Sequence, residues 1–253
     1  MNLNGAVIAI TGAGGGLGLA MARQLGADGA RIALIDSNRI LVERAQTVLA
    51  AAGVESRSYT ADIADESAVE TVFQAIGADF GQLNGLVNNA GIIRDGLLVK
   101  AENGRVTHKM PLSDWQAVMA VNLTGVFLCG REAAAMMVAG GQGGCIINIS
   151  SIAAAGNMGQ TNYAAAKAGV IAMTVTWSKE LSRHGIRSAA IAPGFVRTPI
   201  LEDMKPAALQ KIAELVPLKR MAEPKEIAEA AAFIFSNDYF NGRVLEIDGG
   251  LRL

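Results

Sequence analysis

The sequence predicts an α/β fold of the doubly wound kind, a mostly parallel sheet in a single domain. Three observations point to it. Short apolar runs alternate with helical patterns from end to end, as parallel strands joined by crossover helices require. The apolar runs are nearly unbroken, which fits strands buried on both faces. The 253 residues are 51% apolar and only 18% charged, enough for one large core.

The elements follow in order. Ala6–Ile10 is an apolar run ending in glycines, and Leu17–Leu25 then has helical spacing. Ile32–Ile35 reads as the second strand, followed by a helix through Ala52. Ser58–Thr60 leads a third strand into Asp62, and Glu66–Phe80 has the period of the next helix. Leu86–Val87 closes a fourth strand at Asn88, Asn89, Ala90 and Gly91. A helix from Ser113, strand Cys145–Ile149, helix Tyr163–Leu181 and strand Ile186–Ile191 come next. Helix Pro224–Phe235 and strand Arg243–Ile247 complete the chain. One stretch breaks the alternation. Val99–Lys109 is polar and centred on Asn103-Gly104, a pair that favours a tight hairpin turn. It reads as a surface hairpin: a solvated loop, a lid or a subunit contact.

Composition narrows the function. A net charge of -1 with no basic stripe argues against a nucleic-acid partner. Two cysteines, Cys129 and Cys145, cannot build a disulfide framework and read as small buried side chains in a reducing compartment. The first residues lack the pattern of a signal peptide, and no apolar run reaches the roughly 18 residues of a membrane helix. A cytoplasmic protein with no membrane partner is expected. His108 and His184 stand apart from any cluster with metal-ligand spacing, so no metal is expected.

The segment Thr11-Gly12-Ala13-Gly14-Gly15-Gly16-Leu17-Gly18 joins the first strand to the first helix. Glycines there let the backbone turn tightly and approach a pyrophosphate at the helix N-terminus. The spacing departs from G-x-G-x-x-G, and glycines alone would serve any tight turn. Asp36 adds the second signal. It ends the second strand about twenty residues on, where a carboxylate accepts both ribose hydroxyls and repels a 2′-phosphate. The expected cofactor is NAD(H) rather than NADP(H), in a Rossmann-type domain. Arg39 either softens that choice or simply starts a helix. Asp62, with Ile63 beside it, is a candidate for the adenine end or for a helix cap. Asn89, Ala90 and Gly91 suit close backbone approach to the same cofactor.

Tyr163 and Lys167 lie four apart on a predicted helix and so share one face. A phenol with a pKa of ~10 is a poor base at neutral pH. A neighbouring ammonium stabilises the phenolate, and the lysine can also hold a ribose hydroxyl. Alone, such a pair is common in helices.

Here it does not stand alone. Thr11–Gly18, Asn88–Gly91, Asn122, Ser150/Ser151, Tyr163, Lys167 and Pro193-Gly194 occur in the order and spacing of the short-chain dehydrogenase/reductase family. The chain resembles that family over essentially its whole length, through Ile247-Asp248-Gly249-Gly250. Within it, Gly156–Val170 and Ala192–Ile200 are most similar to 3-oxoacyl-thioester reductases and NAD-linked 17β-hydroxysteroid-dehydrogenase-like relatives.

The resemblance implies roles. Tyr163 exchanges a proton with the substrate oxygen, Lys167 lowers its pKa and binds the nicotinamide ribose, and a serine hydrogen-bonds the substrate. Asn122 completes a water-linked relay with Lys167. Thr198 holds the nicotinamide carboxamide, with Pro193, Gly194 and Val196 nearby. The usual spacing to the tyrosine selects Ser150, whereas the strand ending IINISS selects Ser151. Strand register is harder to shift than a loop, so Ser151 is preferred.

Other departures concern the carrier. The Val99–Lys109 stretch is longer than in most acyl-carrier-protein reductases. Places where those relatives carry arginines read Gly140–Gly144 and His184, with Arg183 adjacent. The resemblance therefore implies hydride transfer between NAD(H) and a secondary alcohol or ketone, a 3-hydroxyacyl/3-oxoacyl thioester such as an acyl-CoA. A steroid, sugar or polyol dehydrogenase and a non-catalytic NAD(H) sensor are the alternatives. Phe195–Met221, with Pro199, Met204, Pro206, Leu209 and Leu215, is expected to form a lid with an apolar underside. A homotetramer is implied, with the Ala-rich Arg131–Ala139 allowing close helix contact.

Overall fold

The computed structural model describes residues 1–198 and 206–252. Its first half runs β1 (Val7–Thr11), α1 (Gly16–Ala27), β2 (Arg31–Asp36), α2 (Arg39–Ala51), β3 (Ser56–Thr60), α3 (Glu66–Phe80) and β4 (Gly85–Asn88). A hairpin, β5 (Val99–Glu102) and β6 (Arg105–Lys109), leads to α4 (Leu112–Met119) and α5 (Val126–Gly140). Then come β7 (Gly144–Ile149), α6 (Thr161–Glu180), β8 (Ile186–Pro193), α7 (Pro206–Leu215), α8 (Pro224–Ser236) and β9 (Val244–Ile247).

The sheet order is β3-β2-β1-β4-β7-β8-β9, and every neighbouring pair is parallel. The chain winds outward from β1 to β3 and then returns to the other side of β1. That reversal opens a crevice between the carboxyl ends of β1 and β4, where α/β sheets bind ligands. Two buried layers hold the sheet. Ile8, Ile10, Ile32 and Leu34 pack with Met21 and Leu25 of α1, Leu49 of α2 and Phe235 of α8. Val7, Ala9, Ala33 and Ile35 pack with Phe73 and Ile76 of α3 and Met137 of α5. Alternate residues of one strand thus enter opposite layers, which explains the unbroken apolar runs.

The structure departs from the sequence reading in four places. Strand β3 begins at Ser56 rather than Ser58, because this edge strand is polar and only half-buried. Within the lid expected over Phe195–Met221 lies a helix, α7, whose half-buried face is Ala208, Leu209, Ile212 and Ala213. Residues 199–205 of that lid, Pro199 and Met204 among them, lie outside the described residues. Between α4 and α5 the helix widens into a π-type turn, Ala120–Gly125. Finally, the helical run Leu112–Gly140 is long and apolar enough to cross a membrane by length and composition. Its buried residues, including Val118, Leu128, Cys129 and Ala133, pack into the core instead.

The hairpin forms as expected. Asn103 and Gly104 have φ of 50° and 75°, the paired positive angles that a type I′ turn requires. Cys129 and Cys145 are buried, with burial pushing their thiols up to about 12 and about 11. Both are inert.

Candidate active site

The glycine-rich loop sits at the crevice. Gly12 and Gly16 have φ of +64° and +52°, which L side chains rarely adopt. A Cβ on Gly18 would lie 2.2 Å from the Gly12 carbonyl oxygen, and one on Gly14 would lie 2.7 Å from Leu41 Cβ. Gly15, by contrast, is extended and would meet nothing within 4 Å. Gly15 and Gly16 therefore face open space, and Leu17 is half-buried beside them. Gly15 offers the amino end of α1 no side-chain cap, and the first turn carries no acidic residue. That combination suits an anion.

Asp36 is fixed at the rim of this loop. Its Oδ2 accepts from Gly14 N at 2.9 Å and its Oδ1 from Asn38 N at 2.9 Å. Arg39 is turned away, paired with Glu43 at 2.7 Å. Asp62 accepts from Ala64 N at 2.9 Å; the cap of α3 is Asp65, which accepts from Ser67 N and Ala68 N. The helix-cap alternative for Asp62 is thus taken by a neighbour. Ile63 is buried against Gly125.

The end of β4 is tied to the end of β1. Asn89 Nδ2 donates to the carbonyls of Thr11 and Gly12, at 3.0 and 3.1 Å. The Thr11 hydroxyl accepts from Asn89 N and Ala90 N. Asn122, fully buried in the π-type turn, holds Ile92 by both backbone groups at 2.8 and 2.9 Å. A Cβ on Gly91 would lie 3.4 Å from Asn122 Oδ1 and 3.7 Å from Lys167 Nζ. Gly91, Asn122 and Lys167 therefore share one spot.

Tyr163 and Lys167 project from α6 into the same place. Lys167 Nζ lies 5.6 Å from the centre of the Tyr163 ring and donates to the Ile149 carbonyl at 2.7 Å. Burial pushes the ammonium down to about 8. Three influences act on the Tyr163 phenol. Burial raises the phenol's pKa as the largest influence, the Ser151 hydroxyl lowers it by hydrogen bonding, and Asp95 raises it by charge. The Lys167 ammonium lies against the ring while it donates to the Ile149 carbonyl.

The two serines separate cleanly. Ser150 is 2% exposed and spends its hydroxyl on the Lys167 carbonyl, 2.9 Å away. Ser151 accepts from Ala153 N at 3.1 Å, and its hydroxyl faces the phenol.

Two comparisons with known proteins bear on this arrangement. The family model described as Enoyl-(Acyl carrier protein) reductase matches residues 12–252. A (3R)-3-hydroxyacyl-CoA dehydrogenase of Canis lupus familiaris is 37% identical, covering 99% of this chain and 98% of its own length. The corresponding Homo sapiens protein is 36% identical, over 98% and 96%. A 3-oxoacyl-[acyl-carrier-protein] reductase of Thermotoga maritima is 38% identical, over 99% of each. The chain belongs to the short-chain dehydrogenase/reductase family.

As a short-chain dehydrogenase/reductase the protein is an oxidoreductase, and members of the family bind a nicotinamide cofactor. The side-chain-free surface at Gly15 and Gly16, the uncapped helix end and the anchored Asp36 fit such a dinucleotide. At the far end of the crevice, Gly194 packs so closely that a Cβ would lie 2.8 Å from Asp248 Cα. Pro193 ends β8, Val196 bridges to Ala222, and Thr198 is half-buried beyond it.

Some contributors carried no clear sequence signal. Thr11 joins the two strand ends through its hydroxyl. Asn162, next to Tyr163, is fully buried and donates to the Arg94 carbonyl at 2.9 Å. Asp95 and Gln160 meet only across a sequence separation of 65. A groove of about 550 Å³ at the amino ends of the strands, lined by Met1, Arg187 and Asp238, includes none of the expected site residues. Among the described residues no three His, Cys, Asp or Glu side chains group as a metal site.

Proposed function

We propose that this short-chain dehydrogenase/reductase transfers hydride between NAD(H) and a 3-hydroxyacyl/3-oxoacyl thioester, with Ser151, Tyr163 and Lys167 as its catalytic residues. The observation that carries the reading is the meeting of Ser151, half-buried Tyr163 and Lys167 in one place. The nicotinamide supplies or takes the hydride when bound. Tyr163 gives its phenolic proton to the substrate oxygen in reduction and recovers it in oxidation. Ser151 holds that oxygen by a hydrogen bond. Lys167 holds the ribose and, with Asn122, conducts protons to the phenol. A hydroxyl pair of this kind polarises a C–O centre, so it suits a ketone or secondary alcohol.

The thioester assignment is supported by relatives named for 3-hydroxyacyl-CoA and 3-oxoacyl carrier substrates. The mouth of the crevice is apolar as well. Exposed Leu97 and Met158 each lie one residue from the hydrogen bond between Gly96 N and the Gly159 carbonyl. The half-buried apolar face of α7, Ala208, Leu209, Ile212 and Ala213, suits the lid role proposed for 195–221.

The two serines give a direct test. Ser151→Ala is expected to lower kcat for acetoacetyl-CoA by roughly 10²-fold, as loss of a donor to the reacting oxygen does. Ser150→Ala is expected to act mainly on stability. Equal kinetic losses in steady-state assays of both variants would refute the assignment.

NAD(H) is favoured over NADP(H) because the Asp36 carboxylate is anchored to the glycine-rich loop, where it would repel a 2′-phosphate. Asp62 and Ile63 at the adenine end, and Asn89–Gly91, Pro193, Gly194, Val196 and Thr198 toward the nicotinamide, complete the proposed cofactor contacts. Asp36→Ser is expected to narrow the NADH preference by at least tenfold, from removal of one like charge. An unchanged NADH-to-NADPH ratio of kcat/KM would count against it.

A cytoplasmic homotetramer fits the buried thiols and an exposed stripe on α5 that includes Phe127, Ala135 and Val138. Light scattering should give a mass of about four chains; a monomer mass would contradict this.

A further inference from the structure

The connection after β4 carries an acidic side chain that none of these steps uses. Both carboxylate oxygens of Asp95 accept from Gln160 Nε2, at 3.1 and 3.0 Å. Gln160 is itself held, because Asn157 Nδ2 donates to its Oε1 at 2.9 Å. Beside this pair the backbones join, Gly96 N donating to the Gly159 carbonyl at 2.8 Å. Asn162 grips the Arg94 carbonyl, and Asn122 grips Ile92. Residues 94–96 are thus sewn to the start of α6, and Ile92 to the π-type turn. Gln160 immediately precedes that helix, three residues before Tyr163.

Asp95 therefore stands as a fixed charge at the site mouth. Its field reaches the phenol, where it opposes the Ser151 hydrogen bond. Lys167, also beside the phenol, donates to the Ile149 carbonyl. A free 3-oxo acid carries its carboxylate two bonds from the carbon whose oxygen Tyr163 serves. A thioester is neutral at that place.

We propose that Asp95, latched by Gln160, is a specificity-determining residue that favours substrates whose carboxyl group is masked over the corresponding free acids. This rests on Tyr163 as the group serving the substrate oxygen. Two like charges several ångströms apart near a protein surface repel by an amount worth about tenfold in binding. Salt weakens the discrimination, because the Asp95 side chain is exposed.

The matched probes are acetoacetate and methyl acetoacetate, which differ in that charge. With NADH, the acetoacetate-to-ester ratio of kcat/KM is expected to rise about tenfold in Asp95→Asn. Asparagine retains an acceptor for Gln160, so the latch survives. Asp95→Glu keeps the wild-type ratio, and high salt narrows the wild-type preference. The same ratio is read from Kd values of the two probes on the NADH complex, by fluorescence titration, so slow turnover does not obscure it. An unchanged ratio in Asp95→Asn, or an equal rise in Asp95→Glu, overturns the proposal. Failure of the Tyr163 assignment looks different: Tyr163→Phe would retain turnover of acetoacetyl-CoA while the two-probe ratio still responded to Asp95.

Discussion

Tyr163→Phe is expected to lower kcat for acetoacetyl-CoA reduction by roughly 10²- to 10⁴-fold, with the Kd for NADH nearly unchanged. The substitution removes only the phenolic oxygen and leaves the ring that Lys167 lies against, 5.6 Å away. Steady-state kinetics beside a fluorescence titration with NADH would separate the two effects. Near-normal turnover would remove Tyr163 from the chemistry. The phenol's raised pKa also fixes a direction with pH. Burial keeps it protonated at neutral pH, the form that serves as acid in reduction. Oxidation needs the phenolate and is expected to speed up as pH rises through the alkaline range.

Lys167→Met is expected to lower turnover to a similar extent and to stabilise the protein. The ammonium is fully buried, and burial depresses its pKa from 10.5 to about 8. At pH 7 the charge is kept in both the folded and unfolded chain, so the folded state bears the whole desolvation cost. Between about 8 and 10.5 the unfolded chain holds a proton that the folded one has released, so stability rises with pH across that window. The cost at pH 7 is on the order of 3 kcal/mol, partly offset by the bond to Ile149. Removing it should raise Tm by about 5 °C at pH 7. The advantage should shrink at pH 10. A variant less stable than wild type at pH 7 in a thermal melt would show that the lysine is not a buried burden.

Much of this was legible because two signals are local. Period and apolar runs located the central strands, since Ile8, Ile10, Ile32 and Leu34 are buried whichever way they point. Asn103-Gly104 specified its own turn through backbone conformation alone. The Gly-rich loop and Asp36 were readable for the same reason, each needing only its place at a strand end. What escaped depends on contacts across the chain. Ser150 and Ser151 are neighbours in sequence, and only the packing of α6 directs one to the Lys167 carbonyl and the other to Tyr163. The hydrogen bond from Lys167 to Ile149 escaped for the same reason, because its acceptor lies on β7 and not on the lysine's own helix. The π-type turn likewise has no propensity signature. It brings the Asn122 amide to Ile92, a residue 30 positions away.

The roles of Tyr163 and Lys167 are tested most directly by one substrate assay. Wild type and Tyr163→Phe would be compared with NADH and NADPH on acetoacetyl-CoA, crotonyl-CoA and a steroid ketone, and with NAD⁺ and NADP⁺ on a sugar alcohol. NADH-dependent reduction of acetoacetyl-CoA, lost in the variant, is the expected result. Turnover of crotonyl-CoA, the steroid or the sugar alcohol without acetoacetyl-CoA, or a preference for NADPH, would contradict it.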